Sequence, residues 1–141
     1  MAGRQIPIQE GLFSWPDPQP RLLGSRCLGC REVTFPAQKS CPACAGTRTE
    51  TIPLSRRGTL WTWTIQRFPP PSPPYLAPAG GFEPFGVGYV ELPEGVRVEA
   101  RLTESDPARL AIGMEMELVV QKYDEDADGN ERMSFAFGPA A

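Results

Sequence analysis

The stretch that runs from Cys27-Leu28-Gly29-Cys30 through Cys41-Pro42-Ala43-Cys44 to Gly58-Thr59-Leu60-Trp61-Thr62-Trp63-Thr64-Ile65 decides the fold. Its first part holds all four cysteines of the chain, as two Cys-x2-Cys pairs with ten residues between them. Each pair can turn two sulfurs toward one metal, and two such knuckles complete a tetrahedral four-thiolate shell. Gly29 and Pro42 suit tight turns at those positions. The reading is one structural zinc held by Cys27, Cys30, Cys41 and Cys44, with no open position for substrate. Iron takes the same ligand set. A disulfide framework suits a secreted chain, and no secretory leader precedes the cysteines. A thioredoxin-like pair wants a βαβ pattern that is missing here.

From Gly58 onward the hydrophobic period becomes two, which marks strands. Gly58–Phe68 is the first strand, Phe85–Leu92 the second and Val96–Leu102 the third, with Pro93-Glu94-Gly95 turning between the last two. In the third, Val96, Val98, Ala100 and Leu102 alternate with Arg97, Glu99 and Arg101, as one buried and one wet face require. Ser105-Asp106-Pro107 supplies a cap and a first-turn proline for a short helix through Leu110, ended by Gly113. A fourth strand over Met114–Val120 and a fifth over Met133–Phe137 follow. This order predicts a mainly β chain ending in a five-stranded OB-fold barrel, with a five-stranded sandwich as the alternative. Asp124, Asp126, Asp128 and Gly129 imitate the start of an EF-hand loop, but Phe135 stands where a bidentate Glu is needed, so a solvated hairpin turn is expected.

Toward the N-terminus, Ile8, Leu12, Phe13 and Trp15 recur at helical spacing before Pro16, which predicts a short amphipathic helix. It would either tuck against its own domain or dock on a partner. The expected organisation is a helical segment over residues 1–20, a zinc ribbon over 21–55 and an OB-fold over 56–141. The ribbon has strands around Val33–Phe35 and Thr47–Leu54. Between the first two barrel strands, residues 68–84 carry seven prolines, a composition for an extended loop. Tyr75, Phe82 and Phe85 give that loop apolar contact area for a partner or ligand.

Composition excludes several function classes. The chain has no histidine among 141 residues, which removes histidine general-base catalysis and every His-containing metal site. Net charge is −3, and the halves differ. Residues 1–55 carry six basic and four acidic groups, whereas residues 56–141 carry eight and thirteen. An acidic barrel repels a phosphate backbone and anionic membrane. Single-stranded nucleic-acid binding is the alternative function, since Trp61, Trp63, Phe68 and Tyr89 could stack on bases. No apolar run reaches membrane-spanning length, and no signal-peptide pattern opens the chain, so a cytoplasmic location is expected.

The chain resembles the thiolase-associated proteins that join a rubredoxin-like zinc ribbon to an OB-fold. The residues carrying the resemblance are the segment before Arg21-Leu22-Leu23, the two knuckles with Phe35-Pro36 between them, Arg57-Gly58-Thr59-Leu60, and Ile112-Gly113-Met114. The resemblance implies a non-catalytic, zinc-containing accessory subunit. Such a subunit binds a thiolase-fold protein acting on acyl-coenzyme A thioesters, whether a thiolase, an acyltransferase or a retro-aldolase of steroid side-chain degradation. Some relatives are tails on hydratase subunits. Zinc accounts for every cysteine, so no catalytic residue is assigned, and catalysis is expected in the partner. Ile8, Leu12, Phe13, Trp15, Tyr75, Phe82 and Phe85 are the expected contacts with the partner or the coenzyme A entrance. The proline-rich loop departs from the family pattern.

Overall fold

The computed structural model describes residues 3–69 and 81–140. Nine strands account for the regular structure: β1 (Gln5–Pro7), β2 (Leu23–Cys27), β3 (Val33–Thr34), β4 (Thr49–Pro53), β5 (Arg57–Gln66), β6 (Phe85–Glu91), β7 (Arg97–Leu102), β8 (Glu115–Glu125) and β9 (Glu131–Pro139). The last five form a sheet in the order β9-β7-β6-β5-β8, and β8 pairs again with β9 to close it. Every pairing among them is antiparallel except β7 with β9. This closed five-stranded barrel is the expected OB-fold.

Alternation explains the barrel core. Val98, Ala100 and Leu102 point inward from β7 and Met116 and Leu118 from β8, and all five are buried. Gly58 opens β5 because a Cβ there would lie 2.5 Å from the Glu91 carbonyl oxygen and 2.8 Å from Leu92 Cδ2. Between β7 and β8 the predicted short helix is a single 3-10 turn, Pro107–Arg109, capped by the Asp106 carboxylate, which accepts the Ala108 N–H at 2.9 Å. At the β8–β9 hairpin Asp126 accepts the N–H groups of Asp128 and Asn130, so the acidic run is a self-satisfied turn.

β5 departs from simple alternation. Its register to β6 slips between Leu60 and Thr62, so Trp61 is an extra residue in a bulge. Trp61 stands 46% exposed, and the shifted parity turns Trp63 and Ile65 toward the core. A second bulge, between Lys122 and Asp124 on β8, leaves Tyr123 as the extra residue.

The predicted N-terminal helix is not formed. Ile8 and Leu12 lie at the two ends of a turn, Phe13 in a β-bridge and Trp15 in irregular chain, and the described residues contain no helix beyond the 3-10 turn. β1 pairs in parallel with Glu131–Met133 of β9, the Ile8 N–H continues to the Met133 carbonyl at 2.7 Å, and Phe13 bridges Leu22. One local feature opposes a helix: Gly11 sits at φ +81°, a left-handed turn inside the would-be helix. The flank of β9 beyond β7 offers backbone partners instead, and the apolar residues pack from a non-helical chain.

β2, β3 and β4 form a separate antiparallel sheet in the order β3-β2-β4. It does not have a core of its own. Leu12, Phe13, Leu22 and Leu54 belong to one buried cluster with Leu60, Val90 and Leu118 of the barrel. Phe35 of the ribbon meets Phe135 of β9 edge-on, with ring centroids 5.5 Å apart. Polar ties reinforce the junction: Arg56 donates to the carbonyls of Pro20 and Leu118, and Ser55 donates through both N–H and hydroxyl to Glu94.

Candidate functional site

The two Cys-x2-Cys turns have the same construction. In the first, the Arg31 N–H donates to the Cys27 carbonyl at 2.9 Å and the Cys27 N–H to the Glu32 carbonyl at 2.9 Å. In the second, the Ala45 N–H donates to the Cys41 carbonyl and the Cys41 N–H to the Gly46 carbonyl, both at 2.8 Å. Each turn ends on a residue in the left-handed region, Arg31 at φ 68° and Ala45 at φ 59°. Neither is glycine, so both conformations carry a local cost that the surrounding knuckle offsets. Sequence reading missed these two positions. The available signal is only that each directly follows the second cysteine of its pair.

This geometry brings all four sulfurs within 4.8 Å of one another. Across the knuckles Cys27 Sγ lies 3.6 Å from Cys44 Sγ, and Cys30 Sγ lies 3.5 Å from Cys41 Sγ. A tetrahedron with metal–sulfur bonds of about 2.3 Å has sulfur–sulfur edges of about 3.8 Å, so the spacing fits a four-coordinate soft cation. Backbone amides turn toward the sulfurs, Cys30 N–H to Cys27 Sγ at 3.5 Å and Ala43 N–H to Cys41 Sγ at 3.4 Å. A Cβ at Gly46 would sit 3.2 Å from Cys44 Sγ, so the chain there stays glycine to keep the sulfur cage close.

Electrostatics agree with the geometry. The N–H groups of Cys30 and Gly29 hold the Cys27 thiol down to about 6. The Glu32 N–H pulls Cys30 the same way, but the sulfurs of Cys41, Cys44 and Cys27 together with burial outweigh it and push that thiol up to about 12. Bare protein thus favours a thiolate at one position and resists a second beside it. A dication neutralises that repulsion. The cluster is suited to a zinc ion, with Cys27 and Cys41 buried and Cys30 and Cys44 at the surface.

The other expected contact residues do not share one surface. Phe13 is 3% exposed and Leu12 is also buried, so both are committed to the chain's own core. Ile8 and Trp15 pack against that core and remain half-buried, and the Trp15 indole donates to the Gln5 carbonyl at 3.2 Å. Phe82 and Phe85 are half-buried neighbours on the barrel exterior, edge to face at 6.0 Å, and the Arg101 guanidinium lies 4.0 Å from the Phe85 ring centroid. Tyr75 lies outside the described residues. A second aromatic group, two of the four rings named above as able to stack on bases, stands on the same β5–β6–β7 exterior. Trp61 meets Tyr89 edge-on at 6.1 Å, and the Arg97 guanidinium stacks 4.1 Å from the Trp61 ring centroid. The bulge that leaves Trp61 outside while turning Trp63 and Ile65 inward has no signature in the alternating sequence.

Comparison with known proteins gives this architecture relatives. Residues 14–50 match the family described as the ChsH2 rubredoxin-like zinc ribbon domain, and residues 51–121 the ChsH2 C-terminal OB-fold domain. A benzoylsuccinyl-CoA thiolase subunit BbsA of Thauera aromatica is 36% identical over 84% of this chain and 76% of its own length. A DUF35 domain-containing scaffold protein of Pyrococcus furiosus is 35% identical over 84% of this chain and 83% of its own. Among solved structures, an Ltp2-ChsH2(DUF35) aldolase chain superposes with a TM-score of 0.62 at 26% identity, covering 86% of each chain.

Proposed function

The chain belongs to the family of two-domain proteins that join a ChsH2-type zinc ribbon to an OB-fold, and from that premise we propose that it is an accessory subunit of a thiolase-like or aldolase enzyme. In this reading it holds one structural zinc at Cys27, Cys30, Cys41 and Cys44. It docks on a thiolase-fold protein that acts on acyl-coenzyme A thioesters, in thiolytic, acyl-transfer or retro-aldol chemistry such as steroid side-chain degradation, and it helps shape the coenzyme A entrance. The observation that carries the reading is the similarity, over most of both chains, to relatives named as a thiolase subunit and as scaffold proteins.

The residue inventory supports the same division of labour. All four cysteines sit in the sulfur cluster and the chain has no histidine, so the groups thiolase-type chemistry calls on would come from the partner. Among the described residues no helix is long and apolar enough to cross a membrane. The contacts we assign to the partner are those with surface left to bury, Ile8 and Trp15 on the N-terminal segment and Phe82 and Phe85 on the barrel, together with Tyr75, which lies outside the described residues.

Co-expression with a thiolase-fold protein from the same genome tests the proposal. A stable heteromer should form, with acyl-CoA turnover in the complex and none in this chain alone. Truncating an aromatic anchor commonly costs about 2 kcal/mol, so Phe82→Ala should weaken assembly roughly thirtyfold with zinc content unchanged. Turnover by the isolated chain, or no complex with any thiolase-fold protein encoded beside it, would overturn the assignment.

A further inference from the structure

A groove of about 310 Å³ runs along the barrel exterior between β7 and the β8–β9 hairpin. Val87, Tyr123 and Phe135 give it apolar walls, and Glu99, Arg101, Gln121, Lys122 and Ser134 are its polar groups. Tyr123 is the extra residue of the β8 bulge, so the lining includes the one position at which that hairpin leaves regular pairing.

The charges around the groove differ in what they are already doing. Lys122 is bound to Glu125 at 2.6 Å and faces Glu131 at 3.7 Å. The Glu99 carboxylate accepts the Tyr89 hydroxyl at 3.2 Å. Arg101 alone of the three has no carboxylate within ion-pair distance and no hydrogen bond among the described residues; its guanidinium is held by the Phe85 ring at 4.0 Å. Cation–π stacking fixes the plane of a guanidinium while leaving its N–H edge free to donate. A half-buried arginine in the lining of an apolar trough, with no side-chain hydrogen bond or ion pair of its own among the described residues, is a charge-assisted donor available to a planar acceptor.

We propose that this groove binds a small organic anion, an apolar acyl or aryl body ending in one carboxylate or phosphate. Arg101 takes the anionic head through its free N–H groups, Ser134 and Gln121 supply neutral hydrogen bonds, and the body lies against Val87, Tyr123 and Phe135. The acidic net charge of the barrel argues against a polyanion, and a single guanidinium matches a single head group. Binding would belong to this chain alone and does not depend on the enzyme partner proposed above.

The test uses the full-length chain, titrated with phenylacetate, octanoate, phenyl phosphate and inorganic phosphate, with phenylacetamide as the neutral control, and followed by nuclear magnetic resonance. Saturable shifts at the Arg101 Nε–H, Tyr123 and Ser134 are expected with at least one of the organic anions. Carboxylates and the phosphate ester separate the two sources of the head group, and inorganic phosphate shows what the head gains without the body. Arg101→Gln should weaken the best probe about tenfold or more, in line with loss of a charge-assisted bond. Arg48→Gln, on the ribbon, should leave it unchanged. Equal thermal midpoints for Arg101→Gln and the parent would show that folding is intact. The proposal is overturned if no organic anion saturates the groove at about 10 mM, about tenfold weaker than a millimolar site. It is overturned equally if phenylacetamide binds as tightly as phenylacetate, or if Arg101→Gln binds as the parent does.

Discussion

Phe13→Ala separates two roles for the N-terminal segment, a handle for a partner or a piece of the chain's own core. Phe13 is 3% exposed, bridges Leu22, and meets Trp15 edge to face with ring centroids 6.1 Å apart. Removing a fully buried phenylalanine costs roughly 3–5 kcal/mol in transfer and cavity terms, and the aromatic pair adds about 0.5–1.5 kcal/mol to what is lost. Some collapse by Leu12 and Leu22 offsets part of this, so a loss of about 4 kcal/mol is expected. Against a typical total of about 5–15 kcal/mol that is a large fraction. At roughly 4 °C per kcal/mol for a chain of this size, the midpoint should fall by roughly 15 °C. Urea denaturation of the zinc-loaded protein, followed by tryptophan fluorescence, measures it directly, and an unchanged slope certifies that only stability moved. Phe13→Leu should recover most of the loss, because volume is nearly kept. A loss under about 1 kcal/mol, the size of an ordinary surface change, would refute the core assignment.

Elemental analysis should find about one zinc per chain, and chelation should unfold the ribbon because metal binding and folding of so small a module are coupled; full stability after demonstrated metal loss would refute a structural role. Gly58→Ala brings a methyl to 2.5 Å from the Glu91 carbonyl oxygen, and the forced shift of the β5–β6 pair should cost about 1–3 kcal/mol in the same denaturation assay. Stability equal to the parent would mean that the two strands can part at that point at little cost. Asp126 is held below its ordinary value near 3.8 by the Asn130 N–H, by the Asn130 side chain and by the Asp128 N–H. A depressed carboxylate contributes stability above its unfolded value and loses it as pH falls through the folded one. Asp126→Ala should therefore differ from the parent by a constant amount near neutral pH and converge with it below about pH 3.8. A gap that persists undiminished to about pH 2 would refute the linkage.

Local chemistry was legible wherever one short segment dictates its own geometry. The Cys-x2-Cys pairs needed only spacing and ligand softness, and the four sulfurs do lie within 4.8 Å of one another. The strands at 85–91 and 97–102 needed only alternation. The cap at Asp106 and the turn at Asp126 were readable for the same reason, since each side chain bonds the backbone two residues on. The N-terminal segment was misread because its geometry is set from far away. Ile8, Leu12, Phe13 and Trp15 have helical spacing, but the backbone of β9, more than 120 residues later, pairs with residues 5–8, and residues 21–23 take the backbone of residues 12–14. Gly11 was the local warning.

The two bulges mark where sequence reading stops, and both lie on the surface with most capacity to bind. Trp61, Trp63 and Ile65 share one parity, so perfect alternation would put all three on the face opposite Leu60. The extra residue at Trp61 divides them, one ring outside with Arg97 against it and the others inside over Gly88 and Gly86. A one-residue slip reverses every later side chain, so one bulge decides whether this strand offers an aromatic exterior or hides it. Tyr123 repeats the device on β8. A bulge sacrifices ladder pairing but bends and twists its strand, and the slip after Leu60 lies just past the last β5–β8 pair, Thr59 with Glu115, where β5 goes on along β6 alone. Both extra residues are aromatic and both border open grooves or stacks of the β6–β7 exterior rather than the core. On β5 the slip also brings Trp63 and Ile65 against the core, and Trp61→Thr tests whether the ring left outside is a partner contact as well. Loss of the Tyr89 and Arg97 contacts should cost the barrel about 1–2 kcal/mol, while assembly with the proposed enzyme partner weakens as well; unchanged assembly would mean that the ring serves only its own neighbours.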